Sequence, residues 1–113
     1  MSPYVTLRER HERKLAAYHD AVEALKPMLA AYGREHRGCF VLFGSAARGT
    51  PHDQSDVDMI ADFPDGAVSA ACGFAEERCW ALGLKPDVRP RDWTSDKVVA
   101  RALEEGVVLG ATL

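Results

Sequence analysis

The residues best suited to chemistry are Gly44-Ser45-Ala46-Ala47-Arg48-Gly49 and, after six intervening residues, Asp56-Val57-Asp58. Gly44 follows the apolar run Cys39 to Phe43, and without a Cβ its backbone can approach a ligand closely. Ser45 offers a hydroxyl and a backbone N–H where a turn or short helix begins. Such termini attract anions, phosphate above all. Arg48 and Gly49 would extend that cradle with a charge and a second exposed backbone. Taken alone, Gly44-Ser45 is also a plain strand-to-helix turn, and Arg48 can equally pair with a surface carboxylate.

Asp56 and Asp58 stand at i and i+2 of an alternating segment, so both leave one strand face with Cα atoms about 6.6 Å apart. Two carboxylates so placed can converge on one metal ion or span a pair ~3.5–4 Å apart. Hard oxygen donors favour Mg²⁺, which commonly also binds substrate phosphates. Asp62 shares the face but lies about 13 Å beyond Asp58. A third ligand is therefore sought on a neighbouring strand, with Asp87 the candidate and Asp92 close by. Singly, Asp56 and Asp58 fit a half-exposed strand. Their occurrence together with the glycine-serine turn, in this order, points to a site.

The elements that must position these residues are legible in the patterning. Leu15, Tyr18, Val22, Leu25 and Leu29 recur at three- and four-residue steps, which predicts a helix from Leu7 to about Arg34. Pro27 inside it predicts a kink or break. Cys39 to Phe43 predicts a short strand buried on both faces. Residues 44–54 read as a loop holding at most one helical turn. From Asp56 to Phe63, Val57, Met59, Ala61 and Phe63 face a core, opposite Asp56, Asp58, Ile60 and Asp62. Pro64-Asp65-Gly66 is a turn, and Ala67 to Leu82 a helix. Leu84 to Arg89, bounded by Pro86 and Pro90, predicts an edge strand. Thr94 or Ser95 caps a last helix ending at Gly106, and Val107 to Leu109 can add a strand. The sum is a small α/β (α+β) layer structure.

The 113 residues allow one compact domain. With 14 Lys+Arg against 17 Asp+Glu, the net charge of -3 gives no sign of nucleic-acid binding. No apolar run approaches the ~20 residues of a membrane span, and the charged first ten residues carry no secretion signal. Cys39, Cys72 and Cys79 show no metal spacing and read as reduced core thiols of a cytoplasmic protein. Trp80 and Trp93 read as packing residues, Trp93 alternatively as the border of a pocket. The four histidines, His52 of the motif loop included, read as solvated.

The combined string Leu42-Phe43-Gly44-Ser45-Ala46-Ala47-Arg48-Gly49 and Ser55-Asp56-Val57-Asp58 resembles the polymerase beta-like nucleotidyltransferase superfamily, and most closely its small stand-alone members, the minimal nucleotidyltransferases. The tail Ala102 to Leu109 is also similar. The resemblance spans roughly Ala21 to Leu109, so residues 1–20 would be a helical extension and 21–113 the domain. It implies a mixed sheet of three or four strands flanked by helices. It implies that Gly44 and Ser45 hold nucleotide phosphates, that Asp56 and Asp58 bind Mg²⁺, and that Asp87 completes the triad and activates an attacking hydroxyl. The implied reaction moves a nucleoside monophosphate, AMP from ATP, onto an acceptor hydroxyl. Stand-alone members often act as antitoxins that adenylylate a tyrosine of a HEPN-domain toxin, which would make the partner a protein. Two other readings stand beside this one. The domain could neutralise a partner by contact alone, through an exposed apolar stripe on the first helix, or it could adenylylate a small molecule such as an aminoglycoside.

Overall fold

The computed structural model describes residues 6–48 and 56–111. Helix α1 (Leu7–Glu35) leads into strand β1 (Cys39–Phe43), a single helical turn α2 (Ser45–Arg48) and strand β2 (Asp56–Asp62). Helix α3 (Val68–Ala81), strand β3 (Lys85–Pro90), a 3-10 turn (Arg91–Trp93), helix α4 (Asp96–Glu105) and strand β4 (Val107–Gly110) follow. The strands form one mixed sheet in the order β3-β2-β1-β4. Strand β1 runs antiparallel to β2 and β4, whereas β2 and β3 are parallel. Parallel neighbours need a crossover connection, and α3 supplies it. The fold is the small α/β sheet expected, with the fourth strand present.

The continuous apolar run of β1 is explained by cover on both faces. Phe40 and Leu42 join Val57, Met59 and Ala61 of β2 in a core closed by α1 and α3. Cys39 and Val41 join Ile60 and the α4 residues Val99 and Ala102 in a smaller cluster on the other face. Strand β3 lies at the sheet edge, where its two prolines cost least.

Helix α1 starts at an N-cap threonine. Thr6 Oγ1 accepts the Glu9 N–H at 3.1 Å. The break expected at Pro27 does not occur, for the helix continues to Glu35. Pro27 and Glu23 are both exposed, so water can satisfy the carbonyl that loses its donor. The segment expected as an extension is the first part of this helix, and Tyr18 already sits in the main core. The apolar stripe anticipated as a docking surface is not free. Tyr18, Val22, Leu25 and Leu29 are all buried against the chain's own sheet, whose apolar face would otherwise meet water. At the other end, Gly33 lets α1 lie against the backbone of β4, since a Cβ there would stand 2.8 Å from Gly110 Cα.

Helix α3 faces the sheet with Ala71, Ala75 and Cys79. Trp80 lies off this stripe and is 63% exposed, and Trp93 on the 3-10 turn is 85% exposed, so neither is a packing residue. Trp93 instead borders an open groove between α3 and β3, with Cys72, Val88 and Pro90. Burial pushes the Cys39 and Cys79 thiols up to about 11, which suits inert core residues. Of the two candidate caps for α4, Ser95 serves, accepting from Val98 N–H at 3.3 Å. Among the described residues, no helix is long and apolar enough to cross a membrane.

Candidate active site

Strand β2 sends its alternate residues to two different environments. Val57, Met59 and Ala61 are buried in the main core, while Asp56, Asp58 and Asp62 are half-buried on the opposite face. Among the described residues, α4 is the helix packed on that face, and it lies over β1. The carboxylates therefore keep access to solvent at the β2–β3 end of the sheet.

The parallel pairing of β2 with β3 sets Asp87 directly opposite Asp58. Their carboxyl groups lie near enough to act on one another. Burial, and then the hydrogen bond and charge of Asp87, raise Asp58 above the ordinary carboxylate range, with a smaller push from Asp56. Two carboxylates held together in this way repel once both are ionised, and a cation between them relieves the repulsion. Arg89 supplies part of this. Its NH2 and Nε groups donate to Asp87 Oδ2 at 3.1 Å and Oδ1 at 3.4 Å.

Gly44 closes the other side of Asp58. Phe43 pairs with Asp58 across the β1–β2 ladder, and the chain then turns at Gly44 with φ of 72°. A Cβ on Gly44 would stand 2.8 Å from Asp58 Oδ2. Glycine is required here twice, for the left-handed backbone and for room beside the carboxylate. Beneath the site, Tyr18 of α1 donates its hydroxyl to the backbone carbonyl of Asp56 at 3.0 Å. That bond ties the first residue of β2 to the main core. Beside Gly44 a cavity of about 330 Å³ opens toward α4, lined by Phe43, Val98, Arg101, Ala102 and Glu105.

The structure thus brings together Gly44, Asp58 and Asp87, with Asp56 one step down the same face. Among the described residues, no group of three His, Cys, Asp or Glu side chains forms a metal-holding cluster. Asp56 and Asp58 point out from successive pleats, and Arg89 occupies both oxygens of Asp87. The all-carboxylate pair still fits Mg²⁺, which is usually held by one or two carboxylates, with phosphates and water completing its shell. Asp62 is drawn off to Arg91, whose NH1 donates to Oδ2 at 2.8 Å. Asp92, the alternative to Asp87, lies on the 3-10 turn and lines the α3 groove. Ser45 and Arg48 belong to α2, but their side chains lie outside the described residues, as do Gly49 and His52. Sequence reasoning missed Arg89. The available signal was the period of two, which puts Lys85, Asp87 and Arg89 on one face of β3.

Comparisons with known proteins bear on the family and on the fold that carries this site. The family model described as nucleotidyltransferase domain matches residues 22–109. A solved structure described as a minimal nucleotidyltransferase is similar at 21% identity and TM-score 0.50, covering 94% of this chain and 98% of that one. Another, described as a toxin-antitoxin with AMP-PNP, is similar at 20% identity and TM-score 0.50, covering 83% of this chain and 73% of that one. No curated protein matches the chain.

Proposed function

We propose a reaction for this protein on one premise: the chain belongs to the nucleotidyltransferase domain family. It transfers AMP from ATP to an acceptor hydroxyl. The acceptor oxygen attacks the α-phosphorus and pyrophosphate leaves. The observation that carries this reading is the register of Asp58 against Asp87, with Gly44 packed on the Asp58 carboxylate.

In this reading Gly44, Ser45, Arg48 and Gly49 hold the triphosphate, and Asp56, Asp58 and Asp87 hold Mg²⁺. The ion, when bound, neutralises phosphate charge and lowers the pKa of the acceptor oxygen. Asp87 accepts the proton of the attacking hydroxyl. Asp58 keeps its carboxylate against the turn at Gly44, and Tyr18 fixes the start of β2 that carries Asp56 and Asp58. Positioning and electrostatics are what such transfers ask of a protein.

The acceptor we propose is a tyrosine of a HEPN-type toxin, which makes the chain an antitoxin. A similar structure described as a toxin-antitoxin with AMP-PNP supports a toxin as partner and an adenine nucleotide as substrate, while the HEPN type and the tyrosine rest on the family resemblance. The rival reading, neutralisation by contact through the α1 stripe, has less surface to use, because Tyr18, Val22, Leu25 and Leu29 of that stripe lie in the core. Calorimetric titration of ATP with and without Mg²⁺ tests the site. Binding that requires Mg²⁺ and is lost in Asp58→Asn is expected, whereas no binding of any NTP to the wild type overturns the proposal. With α-labelled ATP and the toxin, label on a toxin tyrosine is expected. Binding without such labelling rejects the acceptor but leaves the nucleotide site standing.

A further inference from the structure

Strand β3 presents Lys85, Asp87 and Arg89 on the face that carries the β2 carboxylates, in register with Asp56, Asp58 and Ile60. One guanidinium engages both oxygens of Asp87, at 3.1 and 3.4 Å. The neighbouring arginine has a different task. Arg91 reaches from the 3-10 turn to Asp62 at 2.8 Å and anchors that turn to β2, away from the paired carboxylates. The Arg89 pair is about half exposed on both sides, 49% and 46%. A pair so exposed holds by only about two- to fivefold in an equilibrium constant. It is strong enough to orient Asp87 and weak enough to exchange.

A divalent cation that ligates Asp87 competes for the carboxylate charge that Arg89 now shares at both oxygens. The displaced guanidinium would then sit beside a dication with no counter-charge of its own. A phosphate chain answers that need. The planar fork of arginine suits phosphate as well as carboxylate, and it needs only to swing from one to the other.

We propose that Arg89 is a positioning and phosphate-binding residue of the site: it holds both oxygens of Asp87 until a divalent cation takes one of them, and it then binds the phosphates of the nucleotide. The inference rests on the nucleotidyltransferase reading above. It makes cation and nucleotide binding mutually dependent. The cation alone competes with Arg89, and the nucleotide removes that competition. The coupling is reciprocal, so each ligand strengthens the other by one factor.

The test is Mn²⁺ binding, read from the electron paramagnetic resonance signal of free Mn²⁺, with and without a non-hydrolysable ATP analogue, the Mn²⁺ held by the analogue itself being measured without protein and subtracted. In Arg89→Met, Mn²⁺ alone should bind about two- to fivefold more tightly than in wild type. The analogue, with Mn²⁺ present, should bind about tenfold more weakly, and the coupling factor should fall below the wild-type value. Arg89→Lys keeps the charge and lacks the fork, and it should follow Arg89→Met. Arg91→Met should behave as wild type. An Arg89→Met protein that binds Mn²⁺ alone no more tightly, or keeps the wild-type coupling, overturns the inference. So does an Arg89→Lys protein identical to wild type, because charge alone would then account for the effect. A wild type that binds neither Mn²⁺ nor the analogue overturns the reading of the site as well, which separates the two failures.

Discussion

The two faces of β2 are made of the same seven residues and do opposite work. One face, through Val57, Met59 and Ala61, is dry and closed by two helices. The other carries Asp56, Asp58 and Asp62, with Ile60 alone reaching the small cluster under α4. The sealed face holds the strand rigid, and the open face spends that rigidity on holding like charges together. Asp58 and Asp87 would move apart if either strand were free to. The core behind them keeps them in place, which is how a structure of this size sustains a strained electrostatic arrangement.

The contrast can be broken from the sealed side first. Phe40→Ala removes a fully buried ring and should cost about 3–5 kcal/mol by denaturant unfolding. Activity should be lost only in proportion to unfolding. From the open side, Asp58→Asn should lower transfer by on the order of 10²–10³-fold, several kcal/mol of barrier, with the unfolding midpoint unchanged or raised. The opposite responses of fold and activity to these two variants are what the comparison demands. Gly44→Ala joins the two effects. Its φ of 72° costs about 1–2 kcal/mol for a residue with a Cβ, and the contact with Asp58 must also shift. Both stability and nucleotide affinity should fall. Tyr18→Phe removes the hydroxyl bond to the Asp56 carbonyl and should cost about 1 kcal/mol.

The smallest effect sharpens the comparison through pH. Asp58 titrates above its ordinary value of 3.8, chiefly because it is buried and then because Asp87 faces it. Between that ordinary value and the raised one, the folded protein holds a proton that the unfolded chain has released. Stability of the metal-free protein should therefore fall as pH rises through that window and level off above it. Asp58→Asn should lack that decline. A decline of equal size in both proteins, measured by thermal unfolding across pH, would place its cause elsewhere.

Much of this was legible without coordinates. The alternation from Asp56 to Phe63 told which side chains share a face, because a strand has a period of two whatever surrounds it. The apolar run of β1 told that both its faces are covered. The two prolines of β3 told of an edge. The misreadings of Pro27 and of the tryptophans have one cause. Pro27 and the two tryptophans were judged by residue type, whereas their effect depends on which way the helix or turn presents them. Pro27 faces water and is tolerated, and Trp80 faces water because small residues fill the α3 contact with the sheet.

The sequence by itself determined the residue types of the site, their spacing, and the elements that carry them, since these follow from local geometry. Tertiary structure alone decided that β3 runs parallel to β2 with Asp87 opposite Asp58, and that Arg89 closes on Asp87. Register between strands joined by a fourteen-residue helix is set by how that helix packs. That packing is a property of the whole core, which no local pattern contains.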